Sequence, residues 1–265
     1  MAEAKLKLCV PEPQHVWSAA QIEAIAPCLE RLTASERVQW ALDYLPAQAI
    51  LTSSFGAQSV VMLHLLTAIK PDIPVVMIDT GYLFPETYAY VDELTERFSL
   101  KLQIFRARMS PAWQEVRYGR LWEQGVEGIE RYNRMNKVEP MARALDKLKV
   151  GTWFSGIRRG QSGSRRDIGI IQSHRNGVLK VHPLADWSNR DIHTYIKTYN
   201  LPLHPLHEQG YVSIGDHHTS RPPGPLDSDE QTRFFGLVRE CGLHQPERFQ
   251  APGVAALKAD RQSAG

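Results

Sequence analysis

Between residues 49 and 200, short β-rich runs alternate with helical stretches, and this alternation restricts the fold more than any other feature of the chain. The β-rich runs are Ala49-Ile50-Leu51-Thr52, Ile73-Pro74-Val75-Val76-Met77-Ile78, Lys101-Leu102-Gln103-Ile104-Phe105-Arg106, Gly151-Thr152-Trp153-Phe154-Ser155-Gly156-Ile157 and Val178-Leu179-Lys180-Val181-His182-Pro183-Leu184. The second is almost continuously apolar, as expected of a strand buried on both faces of a parallel sheet. Helices are predicted from Ser59 to Leu66, from Pro85 to Phe98, from Met141 to Leu148 and from Ser188 to Asn200. Pro85 suits an early helical position, and Ser188 with Asp191 resembles a capping box. Such alternation is the pattern of an α/β domain.

Outside that block the texture changes. Residues 1–48 carry apolar side chains at three- and four-residue spacing in Ala19–Ala26 and Ser35–Leu42, which predicts a peripheral helical segment. Residues 49–205 form the expected α/β domain. The stretch 109–136 is rich in Trp, Tyr, Arg and Gly with weak periodicity, and is expected to fold over the ends of the strands. From Leu201 the chain is proline- and glycine-rich, with no regular element expected before about Asp229 to Arg239. Residues 206–244 are expected to form a mobile tail and 245–265 a disordered C-terminus.

Three cysteines, Cys9, Cys28 and Cys241, make no even, spaced framework, so structural disulfides are not expected and a reducing compartment fits. The N-terminus lacks a basic-then-apolar signal pattern, and no apolar run approaches a membrane span. The expectation is a cytoplasmic protein without a membrane partner. A net charge of +2 gives no reason to expect a nucleic-acid partner.

Polar residues gather where the strands end. Ser53-Ser54-Phe55-Gly56 joins the first strand to its helix, a geometry that offers backbone N–H groups to an anion. It lacks the lysine and spacing of a Walker loop, and an ordinary strand-to-helix turn has the same residue types. Asp79-Thr80-Gly81 ends the second strand, where open α/β sheets bind ligands. The fourth strand ends in Arg158-Arg159-Gly160-Gln161-Ser162-Gly163-Ser164-Arg165-Arg166, four arginines among glycines and serines. A solvated loop could do this, but guanidinium forks match phosphate and sulfate oxygens, and the loop emerges at the same end of the sheet as Ser53 and Asp79.

Cys241 lies in Glu240-Cys241-Gly242-Leu243-His244, with Arg239 beside it. Nearby cations lower a thiol pKa and favour the reactive thiolate, although burial is the commoner fate of cysteine. His204 and His207 are three apart, and His217 and His218 adjoin Asp216. With no second cysteine nearby, no metal site is expected.

Taken in order, these pieces resemble the phosphoadenylyl-sulfate (PAPS) reductase family. The resemblance spans residues 49–244 and rests on Ser53-Ser54-Phe55-Gly56, Asp79 to Thr87, Lys137-Val138-Glu139-Pro140, the Arg158-to-Arg165 loop, Tyr211-Val212-Ser213-Ile214-Gly215-Asp216 and Glu240 to His244. It implies a doubly wound, mostly parallel sheet of the adenine nucleotide alpha-hydrolase-like (PP-loop) fold, with a flexible C-terminal tail carrying the catalytic cysteine. It further implies that Cys241 attacks the sulfate sulfur and forms an S-sulfocysteine. The substrate would be held by Ser53, Ser54, Phe55, Gly56, Asp79, Thr80, Gly81, Lys137, Arg158, Arg159, Gln161, Ser162, Arg165 and His244. No internal resolving thiol is visible, so reduced thioredoxin or glutaredoxin is expected as co-substrate. A homodimer is the expected assembly.

Relatives that reduce adenylyl sulfate usually carry an iron–sulfur cluster on two cysteine pairs. Here those positions read Asn133-Arg134-Met135-Asn136 and Asp216-His217-His218-Thr219. Ligation needs cysteine thiolates, so no cluster and no tightly bound cofactor is expected. A cluster-free adenylyl-sulfate reductase stays open as a reading, although Ser54-Phe55-Gly56-Ala57-Gln58 looks like the 3′-phosphate type. So do an ATP-cleaving adenylyltransferase of the same superfold and a non-catalytic nucleotide-binding module.

Overall fold

The structure, a computed structural model, describes residues 17–224 and Thr232. Two helices lead in, α1 (Ala19–Leu29) and α2 (Ala34–Tyr44). Each begins at a hydroxyl cap that also pairs with the third helical residue, Ser18 with Gln21 and Thr33 with Glu36. The alternating block follows as β1 (Ala49–Thr52), α3 (Ser59–Ile69), β2 (Pro74–Asp79), α4 (Pro85–Phe98) and β3 (Lys101–Arg106). The stretch 109–136 is more regular than its periodicity suggests: it holds α5 (Pro111–Tyr118), α6 (Gly125–Asn133) and most of a π turn (Arg134–Val138), which runs into α7 (Glu139–Lys147). β4 (Thr152–Ser155), β5 (Ile171–Ser173), β6 (Leu179–Val181) and α8 (Asn189–Thr198) complete the regular elements.

The six strands lie in the order β3-β2-β1-β4-β6-β5. All neighbours run parallel except the β5–β6 pair. Successive residues of each strand serve opposite faces. Leu51, Val75, Met77 and Phe154 pack in the main core with side chains from α2, α3, α4 and α8. Ile50, Val76 and Trp153 meet Met141 and Ala144 of α7 on the other face. The expected doubly wound arrangement is therefore present. Each fully buried aliphatic, Met or Phe side chain contributes about 1.5–3 kcal/mol.

At three residues, β5 is too short to show a strand pattern in the sequence. Its hairpin with β6 closes at Asn176-Gly177, with φ of 57° and 76°. Asn-Gly tolerates two successive positive φ values, as tight hairpin turns require.

Two expectations need correction or refinement. Cys28 is disulfide-bonded, its partner lying outside the described residues, so the expectation of no structural disulfide does not hold. Three cysteines suffice for one bridge; proximity in the fold decides, not an even count. The stretch beginning at 206, read as a tail, is packed onto the domain as far as it is described: Leu206, Ile214, Asp216 and Thr219 are all buried. Among the described residues no helix is long and apolar enough to cross a membrane.

Candidate active site

Strand order reverses between β1 and β4, because the chain runs outward to β2 and β3 and then returns to β4 on the other side of β1. Open α/β sheets bind ligands at the carboxyl ends of strands at such a point. A cavity of about 440 Å³ lies there, walled by Ser53, Ser54 and Gly56 after β1, Thr80 after β2, and Ser155 to Arg158 after β4. Lys137, Met141, Gln161 and Arg165 line it as well, and Val212 to Asp216 close one side.

The loop after β1 is shaped by its backbone. Ser53 N–H still donates to Val76 O at 3.0 Å, continuing the sheet. Phe55 then turns at φ 50°, with its side chain fully buried in the main core. A non-glycine residue in this region is strained by about 1–3 kcal/mol and persists only where packing over-determines it. Gly56 follows, and a Cβ there would lie 3.2 Å from the Ile214 carbonyl oxygen, so a side chain would push the 211–216 segment away. Helix α3 starts at Gln58 without a side-chain cap, and Gln58 and Ser59 face the cavity.

Cationic side chains supply the charge. The Arg158 guanidinium, 3% exposed, donates to Trp187 O at 3.1 Å, Asn189 Oδ1 at 2.9 Å and the Gln58 side-chain oxygen. Burial lowers its pKa, Asp191 raises it, and the Arg165 charge lowers it again. Two cations are thus held beside each other against their mutual repulsion, a relationship that a bound anion relieves. Arg165 Nη1 donates to Gln161 Oε1 at 2.6 Å. Lys137 Nζ lies 2.6 Å from Asp216 Oδ2.

Of the residues expected to hold substrate, Ser53, Ser54, Gly56, Thr80, Lys137, Arg158, Gln161 and Arg165 come together on the cavity wall. Five do not. Phe55 lies beneath the loop. Asp79 accepts from Gly81 N at 2.8 Å and Tyr88 OH at 2.7 Å through one oxygen, and from Arg106 Nε at 2.7 Å through the other. Its carboxylate therefore organises the turn, and Gly81 belongs to that turn. Arg159 turns outward to Glu30 and donates through Nε to Ile168 O at 2.7 Å. The Ser162 hydroxyl meets Ser164 at 2.9 Å, off the wall. Cys241 and His244 lie outside the described residues.

The sequence reading missed Gln58, Asn189, His193, His207 and Asp216 as wall residues. Asn189 and His193 stand on α8, whose helical pattern was plain but whose direction toward the site was not. The histidines first weighed as metal ligands diverge: His204 faces Thr87 at 3.0 Å, His207 faces the cavity, and His218 stacks on Trp122 with ring centroids 3.7 Å apart. Among the described residues no three His, Cys, Asp or Glu side chains gather as a metal site would need. Asn136 exchanges hydrogen bonds with Gln114 at 2.8 and 2.9 Å and Asp216 meets Lys137, an amide and a carboxylate rather than the thiolates that an iron–sulfur cluster needs.

The profile of the phosphoadenosine phosphosulfate reductase domain matches residues 48–222, well over half of the chain. The chain belongs to that family. Phosphoadenosine 5′-phosphosulfate reductase from Vibrio cholerae is 62% identical over 217 residues, covering 82% of this chain and 85% of that protein. The one from Erwinia tasmaniensis is 56% identical over 236 residues, covering 89% and 96%. The crystal structure of phosphoadenylyl-sulfate (PAPS) reductase from Candida auris, a phosphate complex, superposes with a TM-score of 0.68 at 28% identity, covering 77% of this chain and 98% of that one. Yeast FAD synthetase, at 20% identity and a TM-score of 0.53, shares the fold alone. As a member of the reductase family the chain is an enzyme, an oxidoreductase.

Proposed function

We propose that the protein reduces 3′-phosphoadenylyl sulfate to sulfite and adenosine 3′,5′-bisphosphate in assimilatory sulfate reduction. The observation that carries this reading is the cavity at the strand switch point, lined by Lys137, Arg158 and Arg165 in a chain 62% identical to a phosphoadenosine 5′-phosphosulfate reductase. Such a cavity suits a polyanionic nucleotide. Ser53, Ser54 and the backbone to Gly56 offer hydrogen bonds, and the cations stabilise the charge that grows on the leaving phosphate.

In this reading the Cys241 thiolate attacks the sulfate sulfur. A new S–S bond forms as the bond from sulfur to the bridging phosphate oxygen breaks, and the nucleotide bisphosphate leaves with that electron pair. A thiolate of reduced thioredoxin or glutaredoxin then attacks Cys241 Sγ. Sulfite departs, and the second thiol of the donor resolves the mixed disulfide. Two electrons pass from the dithiol to sulfur, dividing a hard reduction into two displacements. The protein works as a homodimer in the cytoplasm and needs no iron–sulfur cluster.

Incubation with substrate and no reductant tests the chemistry. The intact mass is expected to rise by one sulfonate, located on the peptide that contains Cys241. An unchanged mass, or modification at Cys9 or Cys28, contradicts it. An adenylyltransferase would keep its activity in Cys241→Ser, whereas this reaction loses it.

A further inference from the structure

Asp216 is a carboxylate on the wall of a cavity that the reaction fills with an anion. Left to itself it would oppose substrate binding. It is 1% exposed and held from several directions. Its backbone bridges Leu83, and the next residue, His217, donates its N–H to Tyr82 O at 2.8 Å. Oδ1 accepts from Thr80 Oγ1 at 2.5 Å, and Oδ2 meets Lys137 Nζ at 2.6 Å. The orientation of this carboxylate is therefore set by the end of β2 and by the segment that closes the cavity.

Lys137 sits in the π turn Arg134–Val138, and its side chain is 9% exposed. A π turn is rare, poorer in hydrogen-bond geometry than an α-helix and concentrated at functional sites. The ammonium lies 5.3 Å from the centre of the Tyr132 ring, while Lys137 and Met141, one turn on, both reach the cavity. The ammonium donates to Asp216. A lysine is a flexible point charge, so holding it in one rotamer removes an entropic cost from the moment of binding. Burial and the Asp216 charge together raise the pKa of Tyr132, which keeps that phenol protonated beside the pair.

We propose that Asp216 is a positioning residue for the reductase reaction: through the 2.6 Å contact it aims the Lys137 ammonium at the phosphosulfate group. Thr80 braces the carboxylate from the other side. Removing Asp216 thus removes an obstacle of like charge and yet slows the enzyme. The inference rests on the reading that Lys137 meets the substrate.

The test is a double-mutant cycle on the full chain, with 3′-phosphoadenylyl sulfate and reduced thioredoxin, reading kcat and KM for Asp216→Asn, Lys137→Met and the pair. Asp216→Asn is expected to lower kcat/KM by about 10- to 100-fold, mostly in kcat, because an ammonium out of place costs transition-state contact. Adding it to Lys137→Met is expected to change kcat/KM by less than about twofold, because its partner is already gone. A purely structural role would lower activity in both backgrounds alike, and that result overturns the proposal. So does wild-type or higher kcat/KM in Asp216→Asn. Wild-type activity in Lys137→Met overturns both the proposal and the reading of Lys137. Thr80→Val keeps the carboxylate and removes its brace, along with the weaker bond that Thr80 Oγ1 accepts from Tyr82 N at 3.3 Å, and it covers the case of an Asp216 variant that does not fold. It is expected to lower kcat/KM by about three- to tenfold in the native background and not in Lys137→Met. Equal loss in both backgrounds contradicts the inference.

Discussion

Phe55 shows how one residue ties the site to the core. Its φ of 50° bends the loop after β1, and its fully buried ring is the anchor that keeps the bend. Phe55→Ala is expected to cost about 3–5 kcal/mol in urea unfolding and to raise KM well beyond what the stability loss explains. Loss of stability with an unchanged KM would mean that the bend does not depend on the ring. At this scale the sequence is legible only in part. The meeting of Ser53, Ser54, Thr80, Arg158 and Arg165 on one cavity wall is legible because a parallel strand delivers whatever follows it to one edge of the sheet. That Asp79 and Arg159 turn from this wall is not legible by the same rule. Adjacency in sequence does not give side-chain direction, and Tyr88, Arg106 and Glu30, the partners that claim them, come from elsewhere in the chain.

Among the elements, the attachment of the N-terminal helices to the site is carried by Arg37. Its side chain is 1% exposed and donates to Leu29 O at 2.9 Å, Glu30 O at 3.1 Å, Pro183 O at 2.9 Å and both oxygens of Asp186 at 2.6 and 2.8 Å. Burial raises the Asp186 pKa, but the hydrogen bonds and charge of Arg37 outweigh this and leave it lowered. The segment it holds leads directly to Trp187 and Asn189, which carry Arg158. Arg37→Met leaves three carbonyls without this donor and is expected to destabilise by about 3 kcal/mol and to weaken adenosine 3′,5′-bisphosphate binding, measured by calorimetry. Stability within about 0.5 kcal/mol of the parent would show that the helices hold by apolar packing alone. Helix positions in 59–98 and 188–200 were legible from periodicity and caps. The β5–β6 hairpin and the helices within 109–136 were not, the first because three-residue strands carry almost no pattern, the second because the segment packs against Tyr82 and His218 and presents mixed faces.

For the whole molecule, acid sensitivity follows from buried histidines. Burial, Lys180 and Arg165 push the His182 pKa down to about 3. Burial pushes His204 down to about 4 although Glu86 acts the other way; its Nδ1 accepts from Leu206 N at 3.1 Å. Both are neutral in the folded protein, whereas in the unfolded chain they take up protons near the ordinary histidine value of 6.5. Stability is therefore expected to be flat with respect to these groups above pH 6.5 and to fall from there toward pH 4, by up to about 1.4 kcal/mol per pH unit for each histidine. Urea unfolding at pH 7.5, 6 and 5 reads this directly, and equal stability at about pH 7.5 and 5 would contradict it. The α/β class and the sheet's ligand edge were legible from strand–helix alternation, since parallel strands need crossovers. Strand order was not, because nothing local records that the chain returns past β1 to lay down β4. That return makes the crevice on which the functional account depends. Its most direct test is sulfite release from 3′-phosphoadenylyl sulfate and, in parallel, from adenylyl sulfate, each with reduced thioredoxin and the purified full chain. Sulfite is expected in step with adenosine 3′,5′-bisphosphate from the first and far more slowly from the second. No sulfite from the first, or faster release from adenylyl sulfate, contradicts it.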